Sequence, residues 1–191
     1  SEMCIRDRGC YGDGGAMFTN DDNLAEKMKM IANHGQNKRY YHKVTGCNSR
    51  LDSIQAAILN VKLKYLDEYN SNREKMAKTY DIGFGDLEHL NIPYRSSNSN
   101  HVFHQYTLKT SPKYRDKLIK HLTKKEIPAM IYYPVPLYKQ EAFSRYVPEN
   151  YSIENIEKLC SSVFSLPIHS EKENSQQDKV IDSVRSFFNS I

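Results

Sequence analysis

A chain of 191 residues with 39% hydrophobic and 26% charged residues has the balance of a folded globular protein, not of a disordered one. Its formal net charge of +4 is spread without a basic block, which argues against a nucleic-acid partner. No apolar run approaches the roughly 20 residues of a membrane helix, no leader pattern is visible, and Cys4, Cys10, Cys47 and Cys160 show neither CxxC nor zinc spacing, so the expectation is a cytoplasmic chain with reduced thiols and no metal.

Gly9 to Gly15 is glycine-rich but matches neither a dinucleotide nor a Walker pattern; it reads as a tight connection into a strand at Ala16–Thr19. Asn20-Asp21-Asp22 gives a turn and a helix cap. Leu24, Met28 and Ile31 mark the apolar face of a helix that stops near His34-Gly35. Residues 36–49 form a polar loop in which Lys38, Arg39, Tyr40, Tyr41, His42 and Lys43 either meet a phosphorylated ligand or stay solvated.

Gly46 to Leu59 turns from polar loop into amphipathic helix. Leu51, Ile54, Ile58 and Val61 recur on one face. Asn48 or Ser49 stands at the cap, and Asp52 in the positive first turn. Asn48 and Arg50 on the rim of such a helix suit an anionic ligand; an ordinary cap beside a solvated arginine is the other reading. The helix is predicted to run to about Tyr80, on the order of 45 Å at about 1.5 Å per residue, or to be two helices broken near Asn70-Ser71-Asn72.

Asp86 to Asn100 reads as loop, with the domain junction there. Beyond it the pattern predicts a strand at Val102–Lys109, a helix over 114–125, a strand at Pro128–Tyr133, a helix over 152–160 and a strand at Val163–Leu166. A final helix over about 176–190 carries Val180, Ile181, Val184, Phe187 and Phe188 on one face. The alternation predicts an α/β open sheet with helices packed on it. His104 reads as a strand residue, not as a catalytic base.

Gly46-Cys-Asn48-Ser-Arg50-Leu-Asp-Ser-Ile-Gln-Ala-Ala resembles the signature of the DegT/DnrJ/EryC1/StrS family, pyridoxal-phosphate (PLP) sugar aminotransferases of fold type I. Gly9–Asn20, Asn33–Gly35, His101–Tyr106, Ile131–Leu137 and Val163–His169 follow in family order, so the resemblance covers nearly all of residues 9–191. It implies the C-terminal part of a fold type I PLP-dependent transferase: the remnant of a large domain with a long linking helix over 9–85, then a small α/β domain over 86–191. It also implies PLP as cofactor, a nucleotide-sugar substrate, an amino donor (usually glutamate) and a homodimer.

Asn48 matches the family asparagine that reaches the cofactor phosphate of the neighbouring subunit. Arg50 matches a substrate-facing position, where a fork of donors suits a carboxylate or diphosphate. Tyr132 and Tyr133 match a substrate-side segment whose phenols bind sugar hydroxyls or a diphosphate oxygen; aromatic packing beside a proline turn is the alternative. Among subtypes the chain most resembles aminotransferases of UDP-linked 2-acetamido-3-keto-hexuronates, which supply surface polysaccharides. Those often carry His where Tyr132 stands.

The family lysine lies three residues before the glycine that matches Gly9, and Arg6 occupies that place. A guanidinium, always protonated, cannot take its role, so no catalytic residue is assigned. Residues 1–8 can be encoded by TCG-GAG-ATG-TGT-ATA-AGA-GAC-AG, which resembles the end of a transposase-type sequencing adapter. They are read as an artefact fused to a truncated gene. The expectation is a chain inactive alone, with apolar surface exposed on its long helix. The alternative is a non-catalytic regulatory or interaction module of the same fold. An unrelated α/β binding protein would require the ordered motifs to be coincidence.

Overall fold

The structure, a computed structural model, describes residues 9–12, 14–148, 151–171 and 174–191. The reading of residues 1–8, Arg6 included, lies outside the described residues. The chain divides into two compact units, Ser1–Leu66 and Asp67–Ile191.

In the first unit, helix α1 (Asp22–Ala32) begins where expected. The Asp21 carboxylate accepts from the N–H groups of Asn23 at 2.9 Å and Leu24 at 3.1 Å, satisfying two donors of the first turn. The strand expected at Ala16–Thr19 does not form: those residues have no regular structure, and Met17 and Phe18 are exposed. A strand needs a neighbour for its hydrogen bonds, and the described residues of this unit offer it none. The expected polar loop instead contains an antiparallel hairpin, β1 (Gln36–Lys38) and β2 (Tyr41–His42).

Helix α2 (Ser53–Leu63) is capped by Asp52, without a side-chain bond, and not by Asn48 or Ser49. It stops at a turn over Lys64–Tyr65 and α3 (Leu66–Phe84) follows, so neither the continuous helix to Tyr80 nor a break at 70–72 is observed. The apolar face expected on this helix is largely uncovered: Ile54 is 74%, Val61 60% and Leu51 43% exposed, while Ile58 is half-buried. Among the described residues of the first unit only Cys10 and Gly35 are buried. Residues 9–12 are tied to α2 by Tyr11 N–H donating to Gln55 Oε1 at 2.7 Å and Lys62 Nζ donating to the Gly9 carbonyl at 2.7 Å.

The second unit holds the core. Met76, Ala77, Tyr80 and Phe84 recur at helical spacing on α3 and face the sheet. That sheet is antiparallel in the order β3 (Leu90–Asn91), β4 (Tyr106–Thr110), β5 (Val163–Leu166). Tyr106 pairs with Leu166 and Leu108 with Phe164, and strand alternation buries all four. Strand β4 starts later than the expected Val102, because Phe103 sits at φ +45°, outside extended backbone. The strand expected at Pro128–Tyr133 shrinks to one bridge: Met130 N–H donates to the Ser165 carbonyl at 3.1 Å and Ser165 N–H to Met130 at 2.7 Å. Pro128 and Pro134 bring no N–H donor to extend it.

Helices α4 (Pro112–Lys124), α5 (Glu154–Ser162) and α6 (Asn174–Phe188) complete the unit within a few residues of expectation. Leu118 and Leu122 of α4 and Val180, Val184 and Phe187 of α6 are buried in the same core. Buried polar groups tie loops to α3. Arg73 donates to the carbonyls of Ile168 at 2.9 Å and Phe103 at 3.4 Å, and the Tyr80 hydroxyl to that of Pro167 at 2.9 Å. Burial pushes the Tyr80 phenol upward. Arg185 clasps Asp86 through both nitrogens, at 2.6 and 2.8 Å, and donates to the Gly83 carbonyl at 2.8 Å. Its hydrogen bonds hold the Asp86 carboxyl below the usual carboxylate range.

Candidate functional site

Asn48 and Arg50 are mounted on main chain. The last carbonyls of α1 lack helical partners. Met30 accepts from Gly35 N–H at 2.8 Å, Ile31 from Cys47 N–H at 2.9 Å and Ala32 from Ser49 N–H at 2.9 Å, while His34 N–H donates to Cys47 at 2.9 Å. Residues 47–49 are thus laced across the end of α1, with Asn33 and Asn48 as antiparallel partners. The lacing needs close backbone approach, which two glycines allow. Gly35 sits at φ +76°, and a Cβ on Gly46 would collide with the backbone of Gly35, Ile31 and His34.

From this mount Arg50 Nε donates to Asn48 Oδ1 at 3.1 Å. That bond fixes the amide's sense, since only its oxygen can accept, and leaves Nδ2 as a donor. Both residues are exposed. Beside Arg50 lies a cleft of about 740 Å³ lined by Lys29, Asn33, Gln36 and Lys43 among others. Sequence reasoning reached Lys43 but missed Lys29, Asn33 and Gln36. Lys29 lies in the last turn of α1 and Asn33 directly after its end, a four-residue spacing that could have flagged them.

Tyr132 and Tyr133 belong to the second unit and are described within it. Their rings meet edge to face at 5.9 Å, and the peptide between them is cis. Tyr133 is 74% exposed, whereas the Tyr132 hydroxyl is buried. The solvent-facing phenol is therefore Tyr133. His104 is exposed and lies ahead of β4, not within it.

The chain that follows the tyrosines is pinned to α5 by Glu157. Its Oε1 accepts from the hydroxyls of Tyr138 at 2.6 Å and Ser152 at 2.7 Å, and its Oε2 meets Lys139 Nζ at 2.8 Å. Tyr138 in turn accepts from Ile153 N–H at 3.1 Å. Lys139, then Tyr138 and Ser152, hold the Glu157 carboxyl down at about 2. A depressed carboxyl stabilises the fold above the unfolded value, roughly 4.3, and loses that contribution as pH falls toward 2. Hydrogen exchange at Ile153 N–H is expected to accelerate across that window, and Glu157→Gln to remove the pH dependence while raising the baseline rate. A flat profile in the unsubstituted chain would sink the assignment.

Residues 8–185 match the DegT/DnrJ/EryC1/StrS aminotransferase family. The chain belongs to that family. It is 42% identical over 184 residues to a protein of Geobacillus stearothermophilus called pleiotropic regulatory protein, covering 94% of this chain and 48% of that one. It is 40% identical over 161 residues to the UDP-2-acetamido-2-deoxy-3-oxo-D-glucuronate aminotransferase of Pseudomonas aeruginosa, covering 84% and 43%. The crystal structure of Streptomyces venezuelae DesV in complex with a ketimine intermediate superposes with a TM-score of 0.89 at 37% identity, covering 96% of this chain and 49% of that one. The α/β architecture is thus that of the DegT-type sugar aminotransferases, and the chain spans about half the length of the curated relatives it matches.

DegT-type aminotransferases are PLP-dependent. The Asn48 amide, its oxygen engaged by Arg50, is left with its N–H donors, a group of the kind that suits an anion such as a phosphate.

Proposed function

We propose that this chain serves the transfer of an amino group, with PLP and a donor such as glutamate, to a keto group on a nucleotide-linked sugar. The sugar is a UDP-linked 2-acetamido-3-keto-hexuronate, and the working assembly is a homodimer in which the chain is the C-terminal part of each subunit. The observation that carries this reading is the Asn48–Arg50 pair in the family motif, held by main-chain bonds at the end of α1. The resemblance to the Pseudomonas aeruginosa enzyme supports the sugar class.

When bound, PLP supplies an electron sink for moving the amino group. The chain's own residues bind and orient. Asn48 would donate its amide hydrogens to the cofactor phosphate of the neighbouring subunit. Arg50, its guanidinium steadied by Asn48, offers its remaining donors to a carboxylate or diphosphate. Tyr133 presents a phenol to a sugar hydroxyl.

A second reading, a regulatory module without catalysis, is favoured by the name of the Geobacillus stearothermophilus relative. The residue that the source genome encodes in place of Arg6 separates the two. Lysine there supports catalysis; arginine supports the regulatory module. The 191-residue chain itself is expected to give no lysine adduct when mixed with PLP and reduced with borohydride. A stoichiometric adduct at one lysine, located by mass spectrometry, would overturn the assignment of the missing lysine to position 6.

A further inference from the structure

We propose that Glu157 is a positioning residue for amino transfer: by clasping Tyr138 and Lys139 it holds the arch of residues 131–137, and with it the Tyr133 phenol, in place for the sugar. The inference rests on the contact between Tyr133 and a sugar hydroxyl proposed above and adds the residue that sets it.

The first observation is that Tyr133 has no anchor of its own. Ile131, Tyr133 and Val135 make no backbone hydrogen bond among the described residues, and the exposed Tyr133 hydroxyl makes none either. The direction of the phenol is therefore set by the two places at which the arch is attached.

The second is where those attachments lie. Upstream, Met130 exchanges two main-chain bonds with Ser165 of β5. Downstream, Glu157 of α5 accepts from Tyr138 at 2.6 Å and meets Lys139 at 2.8 Å. Helix α5 ends at Ser162 and β5 begins at Val163, so both feet of the arch stand on one continuous run of chain. That run is itself fixed. Strand β5 pairs with β4, and Arg115 of α4 donates to the Cys160 carbonyl at 3.0 Å.

The third is stiffness. Pro134 and Pro136 lock their own φ and keep the residues ahead of them, Tyr133 and Val135, extended. Pro136 sits at φ −55° and ψ 143°, close to polyproline geometry. A stiff spacer carries a shift at Tyr138 through to Tyr133, where a flexible one would absorb it. Only a carboxylate meets every donor of the clasp: Oε1 takes the Tyr138 and Ser152 hydroxyls and Oε2 the Lys139 ammonium. Glutamine would turn an N–H group toward one of these donors.

Two measurements test this. In the 191-residue chain, backbone order parameters from nitrogen-15 relaxation are expected at about 0.85 for Tyr133 and Val135 and below about 0.6 in Glu157→Gln, with Met130 and β5 unchanged. Tyr138→Phe, which removes the hydroxyl and keeps the ring edge-on to Tyr151, is expected to do the same. In the complete enzyme of the proposed function, Glu157→Gln is expected to raise the KM for the keto sugar about three- to tenfold, the size of one hydrogen bond, and to leave the half-reaction with the amino donor unchanged. A purely stabilising role would slow both half-reactions together. Because Glu157 acts through Tyr133, Glu157→Gln is expected to add nothing in a Tyr133→Phe background.

Unchanged order parameters at Tyr133 and Val135 in both variants would overturn the proposal, as would KM effects of Glu157→Gln and Tyr133→Phe that multiply. The failures are separable. An unchanged KM in Tyr133→Phe removes the contact between Tyr133 and the sugar, and this inference with it. A raised KM in Tyr133→Phe beside an unchanged one in Glu157→Gln removes the inference alone. A complete protein that transfers no amino group sinks the proposed function and this inference together.

Discussion

Gly46→Ala is expected to unfold the first unit around Asn48 and Arg50. The added Cβ would stand 2.5 Å from the Ile31 carbonyl oxygen and 2.8 Å from the His34 carbonyl carbon, and closer still to the Gly35 nitrogen. All three are backbone atoms, so no side chain can turn aside. Relief requires residues 46–49 to lift off α1, which breaks the bonds from Cys47 and Ser49. Overpacking costs about 1–3 kcal/mol and each lost hydrogen bond about 0.5–1.5 kcal/mol, so a loss of about 3 kcal/mol or more is expected. A unit with so few buried residues has little to set against it. Exchange at the amides of His34, Cys47 and Ser49 is expected to reach unprotected rates, while β4 and β5 keep their protection. Native-like protection at Cys47 and Ser49 in the variant would mean that the lacing is not what mounts the pair.

Phe84→Ala is expected to cost the second unit about 3–5 kcal/mol. The ring is fully buried and stacks on Tyr80 at 5.5 Å and 12°. Removing it strips contacts from Tyr80, whose hydroxyl fixes the Pro167 carbonyl, so the void lies against a hydrogen bond as well as against apolar neighbours. At about 2–8 °C per kcal/mol for domains of this size, the melting temperature should fall by about 6 °C or more. Thermal melts by far-ultraviolet circular dichroism read this directly. A drop of less than about 3 °C would show that the core collapses around the vacancy.

Elements whose information is local were legible in the sequence. The turn and cap at Asn20-Asp21-Asp22 before α1, the helical run that became α4, the apolar run of β5 and the spacing of Val180, Val184 and Phe187 each carry their own signal. Elements defined by a partner were not. Residues 16–19 have strand-forming composition but, among the described residues, no neighbouring edge. The hairpin has no apolar alternation because both of its faces meet solvent. The break at Lys64–Tyr65 contains neither proline nor glycine, so nothing in composition marks it.

The site divides the same way. Asn48 and Arg50 were found through a motif, yet the motif does not reveal that main-chain bonds to α1 hold them. Lys29 was missed because a lysine beside a groove and a lysine on a solvated face look alike until the hairpin is placed. Of the two tyrosines, only the fold distinguishes a buried hydroxyl from an open one.

Because main-chain atoms alone make the mount at the end of α1, positions 48 and 50 behave as a socket whose tools are interchangeable. Saturation of these two codons should yield mostly folded variants that differ in which anion they retain, whereas the same exercise at 35 and 46 should yield almost none. Evolution can therefore retarget this scaffold by swapping two side chains, and a designer can do so without rebuilding the loop that carries them.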